Sequence, residues 1–225
     1  MSAIQQMMMW YWNIPLDPNL IAWYKLDGNA NDSAGSNNGT PTAITYTTGR
    51  VWDAASFNGT SSSIYCGSGA LNITWTSLSV GFLINPNTTM VNKWIIFKWS
   101  TAASQWVYSI WFYNWSSMRI LCRLNGSATE WSWQLSSTTT LSTGTWYYIQ
   151  VTYDWTNIKI YINWVLNVSN SYSTALASNT DDLILWLYYN TSASYRYNWL
   201  LDEVKIYDRV LTAWEITAQA TAYWF

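Results

Sequence analysis

The sequence contains no histidine. This absence excludes Ser-His-Asp and Cys-His catalysis, and it excludes zinc or haem sites that depend on histidine ligands. Charged residues are also scarce: they make up 10% of the 225 residues, and the net charge is −2. The ten lysines and arginines are scattered along the chain, so no basic patch indicates a nucleic acid or an anionic membrane surface as a partner.

Long apolar runs are missing as well. No stretch approaches the about 18 apolar residues that a membrane-spanning helix needs, so we expect no membrane insertion. The first residues, MSAIQQMMMWYWNIP, carry no basic segment and match a secretory signal poorly. We interpret residues 1–18 as an N-terminal arm or linker and residues 19–222 as the folded domain. On this basis the chain is either cytoplasmic or a module of a longer surface protein.

Cysteine is limited to Cys66 and Cys122, and each lies in an apolar run that is typical of a strand. One disulfide is compatible with this number, but two buried free thiols are the favoured interpretation. The cysteine spacing does not resemble that of a metal site.

Glycine is scarce beside tryptophan: the chain has 10 glycines and 19 tryptophans. An average protein of this length holds about 16 glycines. In residues 159–168, KIYINWVLNV, two apolar runs flank Asn163-Trp164. A two-residue hairpin turn favours Asn-Gly there, because both central residues need a positive φ. Tryptophan in such a turn is expected to be strained by about 1–3 kcal/mol.

Short apolar segments rich in Ile, Val, Tyr and Phe dominate the rest of the chain, and turn residues separate them. Near the end, Thr212 and Glu215 fit a capping box that opens a short helix. We predict an all-β fold, a two-sheet antiparallel jelly-roll sandwich with one short C-terminal helix. Strands are predicted near 20–26, 51–57, 62–66, 77–84, 94–98, 107–113, 117–124, 146–153, 157–163, 165–169, 182–188 and 200–207.

Five segments carry a resemblance to a known family. In chain order they are LIAWYKLDGNANDSAGSNNGT, AASFNGTSSSIYCG, SLSVGFLINPNT, GTWYYIQVTYDWTNIKIYINWVL and LLDEVKIYDRVLTAWEI. Together they resemble a laminin-G-like jelly roll of the concanavalin A-like lectin/glucanase superfamily over about residues 20–220. The resemblance implies two curved antiparallel sheets packed face to face. It also implies a module of a larger extracellular or cell-surface protein.

Two classes of function follow from the resemblance. The first is a non-catalytic carbohydrate-binding or adhesion module, with a glycan or a surface protein as its partner. The second is a structural or protein-interaction module without a sugar site. Enzymatic activity is not expected: the glucanase branch uses an E-x-D-x-E set on a strand, and Glu130, Glu203 and Glu215 do not fall in that pattern.

Oxygen-bearing side chains cluster at Asp27, Asn29 and Asp32, in and beside the glycine-containing loop 28–39. Carboxylate, amide and carbonyl oxygens are the ligands that calcium prefers, so we predict a structural Ca²⁺ site here. The resemblance adds Asp202, because relatives often hold a structural calcium near an acid of this D-E-V segment. The alternative interpretation is that Asn29 and Asp32 only form Asx turns.

A second group of candidate residues surrounds the loop 190–194. Aromatic side chains there would form a stacking surface for a sugar, or they would simply pack against the domain. The predicted ligand-binding residues are Tyr188, Tyr189, Tyr195 and Tyr197.

The resemblance also bears on the tryptophans. Relatives have glycine at the turns that here read Asp154-Trp155, Asn163-Trp164 and Asn198-Trp199, and Asn114-Trp115 is a fourth such case. We hypothesise that most tryptophans are glycines in the natural protein, encoded by UGA and translated here as tryptophan. The alternative is a genuine aromatic stripe that stacks on sugars. The glycine hypothesis predicts strained or exposed indoles at several turns, whereas Trp146 matches a family tryptophan. Glycine would also be unremarkable at Trp52, Trp75, Trp94, Trp99, Trp106, Trp111 and Trp186.

Overall fold

The computed structural model describes residues 16–59, 61–69, 71–73, 77–87, 93–100, 105–113, 117–125, 134–177, 181–185 and 199–225. Within these residues the chain forms two antiparallel β-sheets and one α-helix. The two-sheet antiparallel sandwich with a C-terminal helix, predicted from the sequence, is confirmed.

The larger sheet has eight strands. They are β1 (Leu20–Tyr24), β3 (Thr45–Thr48), β4 (Asp53–Ser56), β6 (Leu78–Pro86), β11 (Tyr147–Tyr153), β12 (Asn157–Ile162), β13 (Val165–Ser171) and β15 (Trp199–Tyr207). Their order is β13-β12-β11-β6-β15-β4-β3, and β1 also pairs with β15. This pairing places the first and last strands of the domain side by side.

The smaller sheet has seven strands. They are β2 (Thr40–Thr42), β5 (Ser63–Tyr65), β7 (Lys93–Ser100), β8 (Gln105–Tyr113), β9 (Arg119–Leu124), β10 (Gln134–Ser136) and β14 (Leu183–Leu185). Their order is β10-β9-β8-β7-β14-β5-β2.

The main core lies between the two sheets. Because successive side chains of a strand point to opposite faces, alternate residues of the central strands enter this layer. Phe82 and Ile149 of the larger sheet and Ile96 and Ile110 of the smaller sheet belong to one buried cluster. Cys66 and Cys122 are part of the same core, and both are free thiols, as the favoured interpretation predicts.

The helix α1 (Ala213–Ala222) covers the outer face of the larger sheet. It begins at the predicted capping box: the Thr212 hydroxyl accepts a hydrogen bond from the Glu215 N–H, and the Glu215 carboxylate accepts one from the Thr212 N–H. Ile216 and Ala220 of the helix pack against a cluster that includes Tyr148 of the sheet. No helix within the described residues has the length and apolar character needed to cross a membrane.

Three strands were not predicted from the sequence: β2, β3 and β10. Each stands at an end of its sheet, so it pairs on one side only. Their sequences, TPT, TYTT and QLS, are short and polar. Hydrogen bonding to the neighbouring strand, and not an apolar pattern, makes them extended. The predicted continuation of β14 to residue 188 lies outside the described residues.

Arg209 joins the beginning of the described chain to the helix. Its guanidinium forms ion pairs with Asp17 and, at 2.5 Å, with Glu215. These pairs link residues on both sides of the predicted boundary between arm and domain. The hydrogen bonds from Arg209 lower the pKa of Glu215 to about 2, although partial burial acts in the opposite direction.

This shifted pKa predicts an acid-dependent loss of stability. The folded-state pKa of Glu215 lies below its ordinary value of 4.5, so its contribution is present at neutral pH and is lost as pH falls from about 4.5 through about 2. For a partly exposed pair we expect a contribution of about 1 kcal/mol. We expect the free energy of unfolding, measured with urea across this pH range, to fall less steeply with decreasing pH in Arg209→Gln than in the parent. An equal pH dependence in both proteins would contradict this role of Arg209. Arg119→Gln, which removes a positive charge from an exposed side chain outside these ion pairs, serves as the control.

Candidate functional site

The outer face of the smaller sheet carries its own apolar cluster. Trp94, Phe97, Trp111, Leu121 and Ile184 are buried together, apart from the main core. Their sequence neighbours on the same strands, such as Ile96, Ile110 and Leu183, belong to the core between the sheets. The alternation of side chains along each strand therefore places this cluster on the opposite side of the sheet. We refer to this surface as the outer face.

Strand register arranges the outer face in two rows. The first row crosses seven strands, since Gln134 of β10 pairs with Arg123, and the second crosses four, because antiparallel pairing sets the partners directly opposite each other. The first row consists of Thr40, Tyr65, Ile184, Phe97, Ser109, Arg123 and Gln134. The second row consists of Trp94, Trp111, Leu121 and Ser136.

Aromatic rings form the centre of the outer face. The rings of Trp94 and Trp111 are stacked, with centroids 4.5 Å apart and planes within 7° of parallel. Phe97 lies at 6.1 Å from Trp94 in a tilted arrangement. The guanidinium carbon of Arg123 lies 5.7 Å from the centre of the Trp111 ring, which is within the range of a cation–π contact. The face thus combines flat apolar rings with a positive charge.

Polar groups accompany these rings. The Ser109 hydroxyl is buried between Phe97 and Arg123 in the first row, and it has no hydrogen-bond partner among the described residues. Tyr65 is 37% exposed at one side of the face, and burial of its ring raises its pKa, with a further contribution from the charge of Asp182. Arg119 is exposed at the other side. The central rings are 5% exposed or less, so the side chains of this face that a small molecule or glycan could contact are those at its two sides, Tyr65 and Arg119.

Sequence reasoning did not identify the outer face as a site. Strands β7, β8 and β9 bury side chains on both faces, so their sequences lack the polar–apolar alternation that marks an exposed face. The available signal was the placement of Arg119, Leu121 and Arg123 at every second position of β9. The predicted ligand-binding residues Tyr188, Tyr189, Tyr195 and Tyr197 lie outside the described residues.

The predicted calcium ligands fall into two places. Asp32 accepts hydrogen bonds from the Trp23 N–H at 2.9 Å and from the Asn37 N–H at 3.1 Å, one on each carboxylate oxygen. The Asn29 side chain accepts one from the Asn31 N–H at 2.9 Å. Asp32 also accepts a hydrogen bond from the Ala34 N–H at 3.0 Å. The bonds to Asn31 and Ala34, each two residues along the chain, are those of the Asx-turn interpretation, whereas the bond from Trp23 joins the loop to β1.

Asp202 and Asp27 form the second group of predicted calcium ligands. Asp202 is fully buried, and one of its oxygens accepts hydrogen bonds from the N–H groups of Arg50 and Val51, at 3.1 and 3.0 Å. Its other oxygen has no hydrogen-bond partner in the described part of the chain. Burial raises the pKa of Asp202 to about 8, and the charges of Glu203 and Asp27 contribute. Burial and the charge of Glu203 also raise the pKa of Asp27.

The three acids of the predicted calcium set are not gathered at one point. Among the described residues, no three His, Cys, Asp or Glu side chains form a group that could hold a metal ion. Any cation at Asp27 and Asp202 would therefore take its remaining ligands from backbone carbonyls, amides or water.

A buried ionic network lies beside Asp202. The Glu203 carboxylate accepts hydrogen bonds from the Trp23 indole N–H and the Tyr223 hydroxyl, both at 2.9 Å. Lys205 lies 3.7 Å from the same oxygen and donates to the Tyr223 hydroxyl at 2.7 Å. Glu203 has a φ of 53°, at an irregularity in the register of β15. The network joins β1, β15 and the residue that follows α1.

Four tryptophans have the left-handed backbone that favours glycine. At turns between strands these are Trp52, Trp155 and Trp164, with φ values of 58°, 69° and 66° and side chains that are 70%, 41% and 39% exposed. The fourth, Trp224, follows the helix and has a φ of 62° and a side chain that is 57% exposed. Asn163 has a φ of 49°, so both central residues of the hairpin turn have positive φ, as predicted. Strained and exposed indoles at turns are therefore present. Trp199 is different, since it is buried within β15, and Trp115 lies outside the described residues.

Comparison with solved structures shows the same fold. Domain 4 of AbnA, a GH43 extracellular arabinanase from Geobacillus stearothermophilus solved with arabinotriose, has a TM-score of 0.73 and 22% identity, covering 90% of this chain and 98% of that domain. The binding domain of Paraclostridial Mosquitocidal Protein 1 has a TM-score of 0.75 and 18% identity, and the match covers 91% of this chain and 52% of that one. A third structure comes from work on the interaction of botulinum neurotoxin type C with two ganglioside molecules. It has a TM-score of 0.70 and 16% identity, and the match covers 92% of this chain and 52% of that one.

No curated protein sequence matches the chain. The model of the Laminin_G_3 family, described as the concanavalin A-like lectin/glucanases superfamily, matches residues 57–217. This match covers well over half of the chain, and it includes all the strands of the outer face except β2. The chain therefore belongs to the Laminin_G_3 family of the concanavalin A-like lectin/glucanase superfamily.

Proposed function

We propose that the chain is a non-catalytic carbohydrate-binding module. The observation that carries this proposal is the accessible side of the outer face, where the Tyr65 ring is 37% exposed beside the exposed Thr40. Flat rings bind the apolar face of a sugar, and a few polar groups fix its orientation. The arabinanase domain was solved with arabinotriose, and the botulinum neurotoxin type C structure comes from work on an interaction with two gangliosides. By analogy of fold, both support a glycan as the partner of this chain.

The distribution of acids supports a role without catalysis. Glycoside hydrolysis needs two carboxyl groups about 5–10 Å apart on either side of the scissile bond. The two rows of the outer face contain no Asp or Glu. Glu203 lies in the buried network and Glu215 caps the helix, so both have structural partners.

The surroundings of related domains support a modular setting. The chain spans almost the whole of the arabinanase domain and about half the length of the toxin binding domains. The arabinanase is named as extracellular. We propose that the domain works in adhesion or glycan binding as part of a larger extracellular or cell-surface protein.

Removal of an outer-face ring is expected to weaken glycan binding. A stacked aromatic contact contributes up to about 1.5 kcal/mol, so Tyr65→Ala should lower the affinity by up to about tenfold. A glycan array would first select a ligand, and isothermal titration would then compare the variants. Trp214→Ala is the matched control, because Trp214 is 77% exposed on α1, away from the outer face. Equal loss in both variants would contradict the assignment, and no glycan binding at high protein concentration would favour a structural or protein-interaction module.

We also propose a structural Ca²⁺ at Asp27 and Asp202. The support is the buried Asp202 oxygen without a hydrogen-bond partner among the described residues, together with a second carboxylate whose charge acts on it. A divalent cation would neutralise both acids and satisfy that oxygen. Asp32 is less suited, because backbone N–H groups already engage both of its oxygens, whereas Asp27 accepts one backbone hydrogen bond, from the Asp53 N–H at 3.1 Å, on one oxygen.

Calcium is accordingly expected to raise the melting temperature. At a concentration of about 100 times Kd the gain is about 2.7 kcal/mol, or about 5–10 °C for a domain of this size. Asp202→Asn should abolish this shift. Asp32→Asn should keep it, although that variant starts from a lower melting temperature. Differential scanning calorimetry with calcium and with a chelator makes the measurement, and the same shift in Asp202→Asn would exclude this site.

We further infer that positions 52, 155 and 164 are glycine in the natural protein. Each has a φ that glycine adopts freely and a β-carbon-bearing residue does not. Their exposed indoles pack little, so packing provides little compensation for this strain. The coding DNA tests the inference: UGA codons at these positions support it, and UGG codons would refute it.

A further inference from the structure

We propose that strand β13 is a docking edge at which a second copy of this chain adds in antiparallel orientation, so that two copies form a reversible dimer. The inference goes beyond glycan binding and does not depend on it. Strand β13 stands at one end of the larger sheet, and within the described residues it pairs only with β12. Its exposure, its outward backbone groups and its lack of charge carry the inference.

The side chains of β13 are largely open to solvent. Five of its seven residues are exposed. Val165 is 58% exposed and Leu166 is 49% exposed, and Trp164, in the turn that precedes them, is 39% exposed. Apolar side chains gathered on an open strand favour association with another chain, because a partner removes their surface from water.

The backbone of β13 offers hydrogen-bonding groups to an added strand. The Tyr172 N–H donates to the Thr156 carbonyl at 2.9 Å, in the register of the β12–β13 pairing. Because alternate residues of an antiparallel strand face their partner, Asn170 also faces β12, whereas Ser169 and Ser171 direct their N–H and C=O groups outward. The Ser171 N–H already donates to the Asn170 side chain at 3.0 Å. Ser169 is therefore the outward residue nearest the middle of β13.

The strands at the other sheet ends are better protected against addition. Shortness, proline and charge are the usual means by which an edge strand avoids pairing with another chain. Strand β2 is three residues long and contains Pro41, β10 has three residues and β3 has four. Strand β13 has seven residues, VLNVSNS, without proline or charge. It is the long edge among the described strands that lacks these means.

The absence of charge favours a second copy as the occupant. An identical strand brings no charge against β13, and the net charge of −2 gives little repulsion between two copies. A charged partner strand would find no counter-charge on β13. In one continuous antiparallel sheet, the twofold axis of such a dimer is perpendicular to the sheet. The smaller sheets of both copies therefore lie on the same side of the joined sheet.

The size of the contact indicates a weak dimer. Seven residues extend over about 24 Å, and with a sheet thickness of about 10 Å the two copies together bury about 500 Å². This area lies below that of a stable interface, so we expect a Kd of about 0.1 mM.

Sedimentation velocity of the full chain from about 10 μM to about 1 mM tests the proposal, because this range brackets the expected Kd. The mean mass should increase from monomer to dimer. The triple variant with glycine at positions 52, 155 and 164 should behave in the same way, since Val165 and Leu166 remain. A monomer at about 1 mM would overturn the proposal. Loss of the dimer in the triple variant would also overturn it, because the exposed indoles would then be the cause.

Variants at Ser169 assign the dimer to β13. Ser169→Pro removes an outward N–H and should weaken dimer formation by at least about tenfold, whereas Ser169→Ala keeps that N–H and should dimerise like the parent. An unchanged dimer in Ser169→Pro would overturn the assignment.

A charge exchange tests the antiparallel arrangement. In the pairing of greatest overlap, Ser169 lies beside its own copy near the twofold axis. Ser169→Lys and Ser169→Asp should therefore each be monomeric alone, and an equal mixture should dimerise again. Thr47→Lys, at the exposed strand at the other end of the larger sheet, is the matched control and should dimerise like the parent. A mixture that stays monomeric would overturn the proposed arrangement.

Discussion

Replacement of Trp52, Trp155 and Trp164 together by glycine is expected to raise the melting temperature by about 5–15 °C. A bulky residue with positive φ costs about 1–3 kcal/mol, and glycine in the unfolded chain returns about 0.5–1 kcal/mol of that at each position. The remaining gain changes the melting temperature by about 2–4 °C per kcal/mol in a domain of this size. Solubility should increase as well, because three exposed indoles are removed.

The control for this experiment is Trp146→Gly. Trp146 is partly buried, packs against the outer cluster of the larger sheet and is not among the residues with positive φ. Its loss should lower the melting temperature. Scanning calorimetry of the triple variant and the control therefore separates relief of backbone strain from a general effect of removing tryptophan. An unchanged or lower melting temperature of the triple variant would show that the three indoles are native parts of the structure.

The second large effect is expected from Glu203→Ala, which should lower the free energy of unfolding by about 3–5 kcal/mol. The variant leaves the buried ammonium of Lys205 without its counter-charge. It also removes the acceptor for the Trp23 indole N–H and for the Tyr223 hydroxyl. A buried donor without an acceptor costs about 1–3 kcal/mol. Urea unfolding at neutral pH measures the difference.

Two further variants define the cause. Glu203→Gln keeps a hydrogen-bond acceptor but removes the negative charge, so its free energy of unfolding should lie between those of the parent and of Glu203→Ala. The double variant Glu203→Ala with Lys205→Met should recover part of the loss, because replacement of a buried ion pair by apolar groups is often close to neutral. If Glu203→Ala lowers the free energy of unfolding by less than about 1 kcal/mol, water replaces the hydrogen bonds of the carboxylate and the prediction is wrong.

Local rules predicted the parts of the fold that depend on neighbours in sequence. The capping box at Thr212 and the positive φ at Asn163 and Trp164 each follow from two to four adjacent residues. The edge strands β2 and β10 could not be found in the same way. Their extended conformation comes from hydrogen bonds to strands that are distant in sequence.

The candidate site was less accessible to sequence reasoning, because it depends on register. Phe97, Ser109 and Arg123 become neighbours only when three strands pair in one particular alignment. A shift by one residue would have turned all three toward the core. The acids illustrate the same limit: Asp32 and Asp27 look alike in the sequence. Only the folded loop shows that backbone N–H groups enclose the first carboxylate.

The pairing of β1 with β15 has a mechanical consequence. Leu20 lies opposite Tyr207, so the chain enters and leaves the sandwich at the same place, where Arg209 holds Asp17. A pull applied at these two points would break the ion pair and then separate the β1–β15 hydrogen bonds one after another. The force would therefore not act on all the β1–β15 hydrogen bonds at the same time. For this reason we expect the β1–β15 pair to separate at a lower force than a pair of strands that is loaded in shear.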